Sequence, residues 1–336
     1  MIKPMVLATF PLVLLLSIAL LLTCIGSLAL GDFQLSWHQV INGLLQPNLD
    51  TEGFVVWELR LPRFLTGLLS GGALGMAGAI VQSITRNPLA SPSLMGVSSG
   101  AAFTIVFSFV FFELSTTSTL MFGTFGGMIA AILTFSIAWK THLNPIHLTL
   151  AGMSISLFFS AGITVLLISA NSDTAGIYYW LAGSLANKTW QHVGQLYPYV
   201  VVGLVLGISF SRPLNLLMLD DITCRSLGVP IHWWRLMLGT IAVLLTAATV
   251  AVAGPISFIG LISPHLVRFY FLSRKQADKK YYSNEHLLVL PCSALVGGLL
   301  VCCADLLAKY QEVPVGILSI LLGGPLFVYL IRKQSL

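Results

Sequence analysis

Few residues in this 336-residue chain have the type and spacing to do chemistry. Gly96-Val97-Ser98-Ser99-Gly100 fits the G-x-S-x-G pattern of a hydrolytic nucleophile. That pattern works only at a strand-turn-helix corner beside a His and an acid. Here it opens an apolar run, and no His stands at comparable depth on the neighbouring runs, so hydrolysis is set aside. The five cysteines offer neither a CxxC pair nor a Cys/His spacing suited to zinc; Cys24, Cys292, Cys302 and Cys303 sit in apolar runs and Cys224 in a short polar stretch. No GxxxxGK[ST] phosphate loop exists, so ATP is not bound by that route. Asp305 and Lys309 stand four apart with the acid first, the favourable order for a helical pair. They read either as a local pair or as an ion-coupling site. Arg60, Arg63 and Lys309 are cations at the ends of apolar runs, able to anchor at an interface or to meet an acidic partner.

The elements that must hold these residues are membrane helices. Hydrophobic residues make up 56% of the chain and charged ones 9%, against ~25% charged in a soluble domain, and mean hydropathy is +0.90. A cytosolic enzyme, a disulfide scaffold and a disordered chain are excluded. Runs of about 20 apolar residues fall near 5–30, 62–84, 93–113, 119–139, 146–169, 192–210, 236–253, 256–272, 286–308 and 314–331. The expected fold is therefore an all-α polytopic bundle of ten helices in one domain, 1–336. Segment 31–59 is expected to be a periplasmic loop and 212–235 a cytoplasmic region. The first run exceeds the ~7–15 residues of a signal peptide core and reads as a retained helix. With both termini inside, 13 of the 17 Lys and Arg lie on the inner side and only Arg60, Arg63, Lys188 and Lys309 outside.

Gly67, Gly71 and Gly75 recur every four residues in the second run, a flat strip for close helix packing. Asn87-Pro88-Leu89-Ala90-Ser91-Pro92, Ala253-Gly254-Pro255 and Ser263-Pro264-His265 break the runs. Irregular backbone at membrane depth lines wet cavities or lies buried in protein. Gln82, Asn87, Ser154 and Ser160 are polar groups near that depth, candidates either for a translocation path or for helix-packing hydrogen bonds. Between the sixth and seventh runs, Leu216 to Leu227 reads as one or two short helices closed by Gly228-Val229-Pro230. With so little intramembrane charge, an ion-coupled carrier is disfavoured and the energy for transport is expected from another subunit.

Taken together, several motifs make the chain resemble the FecCD-type permeases, the membrane subunits of ATP-driven importers for iron-siderophore complexes, haem and cobalamin. The resemblance is carried by Leu59-Arg60-Leu61-Pro62-Arg63, by Asn87-Pro88-Leu89-Ala90-Ser91-Pro92 running into Gly96-Val97-Ser98-Ser99-Gly100-Ala101, and by Tyr179-Trp180-Leu181-Ala182-Gly183-Ser184. Ser226-Leu227-Gly228-Val229, Gly254 through His265 and Asp305 through Gly316 extend it over nearly the whole chain. It implies a type II importer permease that is not itself an enzyme and binds no cofactor. The implied partners are a second permease subunit, two cytoplasmic ATPases that use the ATP, and a substrate-binding protein outside the inner (cytoplasmic) membrane. It implies docking of that protein at Arg60, Arg63 and Lys309, where the family more often has Arg at the position of Lys309. It implies coupling to the ATPases through Asp221, Cys224, Arg225, Ser226, Leu227, Gly228 and Val229, Cys224 standing where Ala is usual. The segment Gly176 to Leu185 with Trp190-Gln191 looks most like ferric dicitrate and related ferric siderophore permeases, so a ferric siderophore, ferric citrate foremost, is the expected cargo, with haem or cobalamin as the alternative.

Overall fold

The computed structural model describes the chain outside residues 1, 32–33, 47–50, 113–115, 142, 171–174, 274–284, 312 and 335–336. Four of the cations used to orient the chain, Arg274, Lys275, Lys279 and Lys280, lie outside the described residues. Helices α1 (Ile2–Ala29), α2 (Trp37–Leu45) and α3 (Thr51–Phe54) lead through a π-helical stretch, Val55–Arg60, into α4 (Leu61–Thr85). A 3-10 turn, Pro92–Met95, precedes α5 (Val97–Phe111), α6 (Thr116–Trp139), α7 (Pro145–Ser169), α8 (Ala175–Leu181) and α9 (Trp190–Ser209). Two short helices, α10 (Ser211–Leu217) and α11 (Asp221–Ser226), come before α12 (Ile231–Ala253), α13 (Ile259–Ser273), α14 (His286–Gln311) and α15 (Val315–Gln334).

A helix stands at each of the ten expected runs, and among the described residues seven are long and apolar enough to cross a membrane. The other three, Val97–Phe111, Ile259–Leu272 and Val315–Leu330, are shorter apolar helices. Two of these follow backbone breaks. Gly96 at φ +78° joins the 3-10 turn to α5, while Gly254 at φ +72° ends α12 and Phe258 at φ +69° leads into α13. Gly254 is required twice over, since a Cβ there would also stand 2.3 Å from the Trp180 carbonyl oxygen.

The described residues of segment 31–59 include α2, α3 and the π-helical stretch. Ser36 and Gln39 form a capping box that starts α2, and the second span begins at Thr51 instead of at 62. The π turn has a local reason. Pro62 has no N–H, and its ring crowds the carbonyl four residues back. The wider turn, in which Leu61 N–H donates to Val56 O, relieves that crowding.

Burial separates a centre from a periphery. The apolar window of α4 is 83% buried and that of α7 only 17%, so α4 is wrapped by protein while α7 presents its side chains outward. The small-residue strip makes this possible. A Cβ on Gly71 would lie 2.2 Å from Gly297 O, one on Gly75 2.1 Å from Ser293 O, and one on Gly78 1.7 Å from Gly260 O. The backbones of α14 and α13 thus touch α4 directly, the packing that drives helix association in lipid. Gly194 on α9 has open space around it. Gly78→Ala is expected to destabilise the protein by about 3 kcal/mol or more through overpacking against backbone. Gly194→Ala is expected to be neutral or to gain about 0.5–1 kcal/mol from helix propensity. Thermal melting of both variants in the same detergent checks the pair.

Candidate functional site

Twenty-five residues of α4 span about 37 Å at ~1.5 Å per residue, and a cluster of charged side chains closes each end. At the first end, Arg60 is buried, and its Nη1 donates to the carbonyls of Leu28 and, at 3.0 Å, Ala29. These are orphan carbonyls at the C-terminus of α1, where the helix dipole also favours a cation. Arg63 forks onto Asp305, Nε at 3.0 Å from both carboxylate oxygens and Nη2 2.8 Å from Oδ1. Lys309 Nζ donates to Ser27 O at 3.1 Å and Ser27 Oγ at 2.7 Å. The three cations expected at a docking surface are therefore brought together, and each ties α4 or α14 to a neighbour. Two expectations change. Arg60 does not extend into water, because its partners are carbonyls inside the bundle. Lys309 stands 4.0 Å from Asp305, so the helical pair is loose and the carboxylate belongs chiefly to Arg63 across the bundle. A cavity of about 630 Å³ opens beside the cluster, lined by Glu58, Arg60, Arg63, Lys309, Tyr179 and Lys188 among others.

At the other end of α4 the expected coupling residues form a compact unit. Asp220 caps α11 by accepting from Thr223 N–H at 2.9 Å. The helix closes as a Schellman motif, Val229 N–H donating to Cys224 O and Gly228 N–H to Arg225 O, both at 3.0 Å. Gly228 takes the left-handed φ of +73° that this closure needs. Cys224 is fully buried, its Sγ 3.0 Å from Leu216 O, so the thiol packs where the family has Ala. Arg225, Ser226, Leu227 and Gly228 are exposed. Ile222 is 83% exposed and Leu227 60%, apolar side chains that no element among the described residues covers.

Asp221 fixes this unit to the bundle. Its Oδ1 accepts from Arg86 Nη2 and, at 2.8 Å, from Arg235 Nη2. Arg86 is the left-handed cap of α4 (φ 50°), and Arg235 on α12 is fully buried. Arg86 Nε also reaches Leu217 O at 2.8 Å, and Arg235 Nη1 reaches Leu143 O at 3.3 Å. Partial burial pushes the Asp221 carboxyl up, but the hydrogen bonds and charges of Arg235 and Arg86 outweigh it and hold the group below the usual carboxylate range.

A second tie escapes sequence reading entirely. Buried His286, at the start of α14, bonds to Ser83 Oγ on α4 through Nε2 and to Asn215 Oδ1 on α10 through Nδ1, the latter at 2.6 Å. Asn215 Nδ2 donates to Glu285 at 2.8 Å, which orients the amide so that its oxygen faces the imidazole and Nδ1 carries the proton. The signal available was a polar Asn between apolar residues in a surface helix.

The four path candidates are not brought together. Gln82 is buried, donating to Leu261 O at 3.1 Å and accepting from Arg268 Nη1, so it braces α13. Asn87 accepts from Leu89 N–H at 2.9 Å in the turn after α4. Ser154 and Ser160 lie on the exposed side of α7, and Ser154 donates to Leu150 O at 3.0 Å.

A buried central helix tied to a short exposed helix pair, in a bundle of apolar helices, is the build of a multi-pass permease that receives work from another subunit. The model of the FecCD transport family matches residues 18–333, and the chain belongs to that family. It is 36% identical over 323 residues to the Fe(3+)-citrate import system permease protein YfmD of Bacillus subtilis (strain 168), covering 94% of this chain and 93% of that one. It is 34% identical over 330 residues to the Fe(3+) dicitrate transport system permease protein FecD of Escherichia coli (strain K12), covering 96% and 98%. A metal-chelate type ABC transporter in an inward-facing conformation superposes with a TM-score of 0.81 at 31% identity, covering 96% of this chain and 99% of the other. The chain is thus a permease subunit of an ATP-driven importer in the bacterial inner membrane, and ATP hydrolysis belongs to a separate subunit.

Replacing Asp221 by Asn keeps the shape and removes the charge shared by two guanidiniums. The expected cost is about 1–3 kcal/mol at neutral pH. Because the folded carboxyl titrates below its unfolded value, its stabilisation is present above pH ~3.9 and is lost as acid protonates it. Melting curves of wild type and Asp221→Asn should therefore separate at pH 7 and draw together as the pH falls below the usual carboxylate range.

Proposed function

We propose that this permease carries a ferric chelate, ferric citrate foremost, into the cytoplasm, with both termini and the α10–α11 unit on the cytoplasmic side. The observation that carries the reading is α4, the most buried of the described spans, pinned at one end by Arg60, Arg63 and Asp305 and at the other by Arg86, Asp221 and His286. A rigid rod with both ends locked moves as one body. A push on α11 and a contact at the Arg60 end therefore act on the same element, as alternating access requires.

In the working complex a second permease copy or a related chain pairs with this one. Two ATPase subunits meet the exposed Ile222 and Leu227, with Arg225, Ser226, Gly228 and Val229 beside them. A substrate-binding protein docks at the face of Arg60, Arg63 and Lys309, where the rim of the cavity is cationic. Similarity to the Fe(3+)-citrate import permease and to the Fe(3+) dicitrate permease supports iron citrate as the cargo.

Uptake of radioactive iron tests the cargo. Cells deleted for this chain are expected to lose uptake from ferric citrate and keep uptake from a hydroxamate siderophore, with wild type restoring the loss; the opposite pattern overturns the assignment. Ile222→Asp tests the lever. Since Ile222 touches little of its own chain, this variant should melt like wild type, within about 0.5 kcal/mol, and yet fail to co-purify the ATPase. Retained ATPase at wild-type ratio would remove Ile222 from that interface.

A further inference from the structure

The cavity at the Arg60 end holds four cations, and three are already committed within the chain. Arg60 is spent on the α1 carbonyls, Arg63 on Asp305, and Lys309 on Ser27. Lys188 differs. It sits in the loop between α8 and α9, lines the cavity half-buried, and makes no hydrogen bond or ion pair with any described residue. Burial pushes its ammonium down to about 8. The acid that lines the same cavity, Glu58, is exposed and forms no ion pair with it. An ammonium partly stripped of water and given no counter-charge by the described residues is destabilised where it stands, and an arriving anion removes that cost.

We propose that Lys188 receives one acidic side chain of the substrate-binding protein and is a further docking residue of this face. The inference rests on the docking reading above. One uncommitted ammonium matches a single carboxylate. A ferric polycarboxylate chelate, bearing several charges, would call for more than one free cation, and the remaining groups near Lys188 (Tyr179, Asn187 and Thr189) are neutral. The loop is also wired into the bundle. Ser184 N–H donates to Ala253 O at the end of α12 (2.8 Å), and Gly316 N–H of α15 donates to Gly183 O (3.0 Å). Contact close to Gly183 is intimate, since a Cβ on Gly316 would stand 1.9 Å from Ala182 O. A carboxylate held by Lys188 therefore loads a loop joined to two helices of the bundle.

The test uses the permease assembled with its ATPase in lipid nanodiscs and its own binding protein, with affinity and association rate measured at low and high salt. Lys188→Gln is expected to weaken binding about tenfold, mostly through the association rate and less at high salt. Lys188→Arg is expected to keep most of the affinity. The loss should be equal for iron-loaded and empty binding protein; a loss confined to the loaded form would mean that the ammonium reads the chelate, and would overturn the assignment. Leu59→Cys, on the exposed rim of the same cavity, carrying a benzophenone maleimide, reports separately whether the binding protein sits on this face. Crosslinking with unchanged affinity in Lys188→Gln would defeat Lys188 and leave the docking reading standing. Absence of crosslinking would defeat both. Melting temperatures equal to wild type exclude misfolding as the cause of a loss.

Discussion

α4 is enclosed by protein on nearly every side, and most of the bundle follows from the backbone contact that encloses it. Shielding at this closeness is achieved with missing side chains: Gly71, Gly75 and Gly78 let the carbonyls of α14 and α13 rest where a Cβ would otherwise be. Dispersion between backbones replaces the hydrophobic effect, which has no purchase between helices already in an apolar solvent. α12 joins the same centre, 78% buried over its apolar window. Helices that do not touch the strip, α7 above all, are left with outward-facing Leu, Ile and Phe for lipid or a neighbouring subunit.

The two ends of α4 solve one electrostatic problem in the same way. The chain has only 12 acids, and each end uses one carboxylate between two cations: Asp305 between Arg63 and Lys309, Asp221 between Arg86 and Arg235. The surplus positive charge is met by backbone. Arg60 takes the terminal carbonyls of α1, Arg86 takes Leu217 O, and Arg235 takes Leu143 O. Arginine suits this because its fork can hold a carboxylate and a carbonyl at once and keeps its charge when buried. Lysine at 309 reaches a hydroxyl and a carbonyl of Ser27 but has no fork to span Asp305 as well, which accounts for its 4.0 Å separation from that acid.

What could be read from the sequence was local. Run length and hydropathy located the seven described helices long enough to cross a membrane and three shorter apolar ones, the four-residue Gly period located the packing strip, and Gly228-Val229-Pro230 located the end of α11. What escaped is carried by pairs far apart in the chain. Arg63 and Asp305 are 242 residues apart and Ser83 and His286 are 203 apart, and no periodicity within one helix encodes such a pairing. Gln82 shows the limit at a single residue. Its type and depth suit a wet path or a packing bond equally, and only the arrival of Arg268 and Leu261 O decides for the second. The π turn before α4 escaped for a different reason: Pro62 at the expected start of the span reads as a first-turn proline, and the helix in fact begins eleven residues earlier.

The short helix α11 is stiff at every joint through which force would have to pass. An Asp220 cap holds its start, a Schellman closure holds its end, and Asp221 locks its side to α4 and α12. Its exposed apolar side chains are Ile222 and Leu227, beside exposed Arg225 and Ser226, and a partner that grips the two apolar groups adds no charge that could compete for Asp221. A lever needs this division, with a rigid root and a replaceable grip. Had the grip been ionic, an acidic partner would have drawn Arg86 or Arg235 away from Asp221 and loosened the root as the force arrived. On the coupling role proposed above, an apolar grip leaves the guanidiniums on Asp221, and motion of α11 would pass to α4 and α12 without loss of the contact that transmits it.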